Sequence, residues 1–137
     1  MMRVRVLLAV CLVGAAACSS TPTTPTTPTT PTTFTEVFTG TVNMNGGASH
    51  FFVSQSSGTV TATLTSLAPD AAQLVGFSLG TWTGTACQVV IANDKATTAS
   101  AITGAVGGAG RLCARVYDIG TITGNSPVSY ELTVTHP

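Results

Sequence analysis

The amino-acid sequence predicts an all-β domain, an antiparallel sandwich or barrel of about eight short strands. Charged residues make up only 7% of a chain rich in Thr, Val, Gly and Ala, a composition that disfavours helix and suits short strands. From residue 34 onward apolar residues recur with period two, and turn residues interrupt them about every eight to twelve positions. At 137 residues the chain has room for one core, which leaves residues 34–137 as one domain behind an unusual first third.

Strands are expected near 34–42, 49–55, 58–66, 73–80, 87–92, 98–105, 111–118 and 127–135. The clearest is Thr59-Val60-Thr61-Ala62-Thr63-Leu64-Thr65, whose alternation buries Val60, Ala62 and Leu64 and leaves the threonines wet. In the second strand Phe51 and Val53 are read as inward and Phe52 as outward. In the fourth, Val75, Phe77 and Leu79 point in while Gly76 and Ser78 point out. The Gly-rich run Gly104 to Gly110 lacks GxGxxG spacing and leads into a strand, so it reads as a hairpin connection and not a phosphate loop. In the seventh strand Leu112, Ala114 and Val116 face the core, with Arg111, Cys113, Arg115 and Tyr117 on the outer face. The last strand turns Val128, Tyr130, Leu132 and Val134 inward. Few charges are available to guard strand edges, so those edges are expected to be short or covered.

The first third carries an address. Met1 to Arg5 is a basic start, and the twelve apolar or small residues Val6–Ala17 match a secretory core and fall short of the ~20 needed to span a bilayer. Ala15-Ala16-Ala17-Cys18 resembles the lipobox of bacterial lipoproteins. That resemblance implies cleavage after residue 17, acylation of Cys18 and, with Ser19 rather than aspartate next, sorting to the outer membrane. Pro22, Pro25, Pro28 and Pro31 then recur every third residue, a spacing that forbids helix and sheet and matches the polyproline II period. Residues 18–33 are therefore a lipidated cysteine plus a semi-rigid spacer of roughly 45 Å, at about 3.1 Å per residue. Of the four cysteines, Cys11 leaves with the leader and Cys18 takes the lipid, so Cys87 and Cys113 are expected to form a disulfide on a sheet surface.

Four segments resemble the bacterial pre-peptidase C-terminal domain, in its short lipoprotein versions: Phe38 to Val42 (FTGTV), Phe51 to Val60 (FFVSQSSGTV), Gly110 to Asp118 with its CARVYD core, and Tyr130 to Val134 (YELTV). The resemblance implies an antiparallel, jelly-roll-like β-sandwich acting as a non-catalytic module, here directly behind the spacer. Some relatives carry an Asp-x-Asp pair where this chain has Gln73-Leu74-Val75-Gly76, so calcium is not expected.

Composition removes several function classes. A chain without its leader keeps only Lys95, Arg111 and Arg115 as cations, too few for a nucleic-acid footprint. His50 and His136 are far apart in sequence and are read as exposed, and Asp70, Asp94 and Asp118 are read as turn residues, so neither a metal site nor a cofactor is expected. No GxSxG or comparable motif sets up a nucleophile. The expectation is a non-enzymatic lipoprotein of the cell envelope, anchored in the outer membrane through acylated Cys18 and facing the periplasm or the surface. It would display a sandwich for adhesion, scaffolding or structure, with a polysaccharide or envelope protein as partner. The alternative is a carbohydrate-binding module that stacks sugars on Trp82 and Phe52.

Overall fold

The structure is a computed structural model that describes residues 32–137. The leader, Cys18 and the proline repeat up to Pro31 lie outside the described residues. Eight strands follow one another: β1 (Phe34–Val42), β2 (Gly47–Ser54), β3 (Gly58–Ala68), β4 (Val75–Trp82), β5 (Cys87–Ala96), β6 (Ala101–Val106), β7 (Gly110–Tyr117) and β8 (Val128–His136). They form two four-stranded sheets in the orders β1-β8-β3-β6 and β2-β7-β4-β5, with every pairing antiparallel. The pairs β1·β8, β2·β7, β3·β6 and β4·β5 nest like one long hairpin wrapped across two layers, which is the jelly-roll arrangement.

Period-two alternation builds the core between the layers. Val60, Ala62 and Leu64 of β3, Val128, Tyr130, Leu132 and Val134 of β8, and Val75, Phe77 and Leu79 of β4 are all buried together, as their spacing predicts. The β1-β8-β3-β6 sheet turns a hydroxyl-lined face outward. Thr35, Thr135, Thr61 and Thr103 stand in one rank across its four strands, with lateral hydroxyl pairs at 3.3 Å and 3.4 Å. Glu131 is the one charged residue on that face.

The second strand has the opposite parity to the one expected. Phe52 is 2% exposed and belongs to the core, whereas Phe51 is 38% exposed and faces outward with Val53. The inward positions of β2 also include His50 and Ser54, and polar residues at core positions hide the true alternation of a strand that contains adjacent phenylalanines. The histidines are likewise not exposed. His50 is half-buried between the sheets, stacked on Phe38 with ring centroids 4.9 Å apart and 2.6 Å from the Tyr130 hydroxyl. His136 is 3% exposed, with Nε2 3.0 Å from Glu36 and its ring against Phe34 and Phe52. Edge strands β1 and β5 are long, at 9 and 10 residues, and two register shifts break the ladder between β5 and β4. Bulging, rather than shortness, interrupts that edge.

Both ends of the described domain lie at one end of the sandwich, where Phe34 pairs with His136 and the Gln55 N–H donates to the Pro137 carbonyl at 2.8 Å. The turns 83–86 and 107–109 share this end, since Thr81 lies opposite Leu112 and Gly58 opposite Val106. At the far end the Asp118 carboxylate accepts backbone N–H bonds from Asn45, Gly120, Thr121 and Ile122 at 2.8–3.1 Å, tying the turn after β1 to the loop after β7. Partial burial works against the ionised form of Asp118, but the four donors outweigh it and hold its carboxyl below the usual value.

Burial lowers the His50 imidazole below its ordinary value and raises the Tyr130 phenol to about 12, so both rings are neutral near pH 7 and share one hydrogen bond between Nε2 and the hydroxyl. As pH falls through 6.5 the unfolded chain takes up a proton at this histidine before the folded one does. Stability from this site is therefore complete above the unfolded value and declines below it, until the folded pKa is passed. The urea midpoint should be lower at pH 5 than at pH 7.5, and His50→Phe should flatten that difference.

Candidate functional site

The outer face of the β2-β7-β4-β5 sheet differs from its hydroxyl-lined counterpart, and the difference begins at Gly80. A Cβ on Gly80 would lie 2.0 Å from the Gln88 carbonyl oxygen and 3.0 Å from the Val89 Cα. The backbone of β5 thus passes directly across the place where a side chain would stand. The register shift between Leu79 and Gly80 accommodates this close approach. It draws the start of β5 over β4 toward β7, although those two strands are not neighbours in the sheet.

Cys87 opens β5 and reaches Cys113 of β7, with a Cα–Cα distance of 5.7 Å. Cys113 is the cross-strand partner of both Gly80 and Phe51, and Cys87 is that of Trp82. The expected disulfide is therefore present on the outer face, outside the apolar core cluster. Cys113 nonetheless has no exposure, because β5 lies over it. Gly76 and Ser78 also point outward without being wet. A Cβ on Gly76 would sit 2.1 Å from the Tyr117 ring, so that ring lies flat on the strand, and Ser78 is paired with Arg115.

Two aromatic groups stand beside the disulfide. Trp82 closes β4 as a half-exposed strand residue. Its ring centroid lies 6.0 Å from that of Phe51 at an interplanar angle of 50°. The Arg111 guanidinium carbon sits 5.1 Å over the Phe51 ring, so aromatic carbon and cation form one exposed corner. Further along the face Arg115 lies 5.2 Å from the Tyr117 ring centre, and the Tyr117 hydroxyl donates to Asp94. Desolvation first, and then the Asp94 carboxylate, push the Tyr117 phenol up to about 12. Asp94 lies within β5 rather than in a turn, while Asp70 and Asp118 occupy loops as expected.

Of the two residues expected to stack sugars, Trp82 is in place and Phe52 is not. Phe51 takes the outward position beside it. An open recess of about 440 Å³ adjoins Phe51 at the seam between β1 and β2, lined also by Phe34, Glu36, Gln55 and His136. Arg111 was assigned to the outer face but not to the aromatic pair, because strand alternation shows which face a residue occupies and not which strand lies beside it. Among the described residues no three His, Cys, Asp or Glu side chains group as metal ligands would. No family model and no curated protein matches this chain.

The disulfide closes 26 residues of chain, which in the chain-entropy model stabilises by about 3.5 kcal/mol. Cys87→Ser/Cys113→Ser should lower the denaturation free energy by roughly that amount. It should also release Trp82 from Phe51, read as a change in the near-ultraviolet circular dichroism of the one tryptophan under conditions where the far-ultraviolet signal is unchanged.

Proposed function

We propose that this protein is a non-enzymatic outer-membrane lipoprotein that holds a jelly-roll sandwich on a Pro-Thr spacer, as an adhesion, scaffolding or structural module of the cell envelope. The carrying observation is the pairing of Cys87 with Cys113. It accounts for both cysteines of the folded domain and agrees with an exported, oxidising location. Cys18 is then available for acylation in its Ala15-Ala16-Ala17-Cys18 setting, and Cys11 departs with the leader. Two or three acyl chains on one residue suffice for stable anchoring. The resemblance to pre-peptidase C-terminal domains supports the same reading, since it implies a non-catalytic module of this architecture.

The exposed Phe51–Trp82 pair favours a second reading, carbohydrate binding. Flat rings on a rigid sheet present apolar surface to the C–H face of a sugar without losing much side-chain entropy.

Mass spectrometry of the membrane-extracted protein should show an N-terminal peptide beginning at Cys18 and carrying acyl chains; an unmodified Cys18 would rule out the anchor. On a glycan array the wild type should bind a subset of polysaccharides and Trp82→Ala should bind none. Retention of no glycan by the wild type would eliminate the carbohydrate reading and leave the scaffold.

A further inference from the structure

We infer that the Phe51–Trp82–Arg111 corner binds a carboxylate-bearing sugar, a uronate-type unit of an acidic polysaccharide. This inference rests on the carbohydrate reading above and adds the charge of the ligand. Stacking on Trp82 and Phe51 alone would accept neutral and acidic sugars alike. Arg111 distinguishes them. Its guanidinium lies over the Phe51 ring, and the residue is exposed, so the planar fork is reachable from solvent.

That fork has no internal carboxylate to satisfy it. Among the described residues the one contact within 4.0 Å between a basic side chain and a carboxylate is His136 to Glu36, so neither Arg111 nor Arg115 is bridged to an acid. Lys95, Arg111 and Arg115 are the only cations after residue 31, and both arginines occupy this face. The acid that reaches the same face, Asp94, accepts the Tyr117 hydroxyl bond at the other end of β7. Glu36, in the recess beside Phe51, is engaged by His136. The corner therefore combines two rings with an unpaired cation. A uronate matches it on both counts, offering a C–H face for the Trp82 ring, since the guanidinium covers one face of Phe51, and a carboxylate that accepts two parallel bonds from the guanidinium.

The full-length protein in neutral detergent would be titrated with polygalacturonate, with the neutral glucan dextran, and with phosphatidylglycerol–phosphatidylcholine vesicles. Polygalacturonate should bind and dextran should not, with affinity falling as salt is raised. Arg111→Gln should weaken polygalacturonate binding about tenfold or more, the loss of a charge-assisted contact, and Arg111→Lys should recover only part of it. Both variants should melt within a few degrees of the wild type, because Arg111 is exposed and outside the core and its contact over Phe51 contributes only about 0.5–1 kcal/mol. Equal binding of dextran and polygalacturonate, unaffected by Arg111→Gln, would overturn the acidic-sugar inference while keeping the carbohydrate reading. Binding to neither polysaccharide, with vesicle binding that exceeds binding to phosphatidylcholine alone and falls with Arg111→Gln, would overturn it in favour of an anionic membrane headgroup, since insertion of the acyl chains depends on neither. No binding to any probe would overturn the acidic-sugar inference and leave the carbohydrate reading to the glycan array alone.

Discussion

The folded domain depends on one absent side chain. At Gly80 the backbone of β5 occupies the space that any Cβ would need, and the β4–β5 register shifts by one residue to allow it. Without that approach β5 would lie flat in the sheet, a full strand further from β7, and Cys87 could not come within 5.7 Å of Cys113. The disulfide in turn fixes the strand partners of Phe51 and Trp82. A backbone contact, a covalent bond and an aromatic pair thus form one chain of dependence, and the exposed rings stand on strands that the disulfide joins.

The two outer faces of the sandwich divide the work differently. On the β1-β8-β3-β6 side, ranks of threonine satisfy one another and water, with β-branched side chains suited to the pleat. On the β2-β7-β4-β5 side, glycine and serine at outward positions make room for Tyr117, Arg115 and the crossing β5 strand, so that even outward residues lose contact with solvent. Rigid surface bearing aromatic and cationic groups is concentrated on the second face. The interior is shared by both sheets and includes a polar seam, in which Tyr130 reaches across from β8 to His50 of β2.

How much of this could be read from residues alone follows from where the pattern is redundant. The strands β3 and β8 each carry three or more apolar residues in strict alternation, so their parity and span are plain, whereas alternation leaves sandwich and barrel open and only the family resemblance implies the jelly-roll order. The strand β2 has only one strong apolar residue on its inward side at the core, Phe52, beside Phe51 on the other face, and polar His50 and Ser54 fill the remaining inward positions. A one-residue choice there exchanged the true stacking residue for a core residue. The disulfide was legible by counting cysteines, but its route over Gly80 was not, since nothing local in Leu79-Gly80-Thr81 announces a strand passing above it. The extent of β5 was also missed, because Asn93, Asp94 and Lys95 read as a turn while in the fold they lie along a bulged edge.

The position of the domain's two ends has a further consequence. The first described strand begins, and the last ends, at the same pole of the sandwich as the turn after Trp82. With the chain tethered as proposed, that pole looks back along the spacer toward the surface that holds the lipid, and the Asp118 loops form the distal tip. Any recognition by the aromatic corner would then be biased to ligands in cis, on the cell's own envelope. Such tethering would confine receptor and ligand to a layer no deeper than the spacer's reach, so that effective concentration would compensate for a weak single contact. Many such molecules side by side would grip a polymer firmly while each contact still exchanged rapidly.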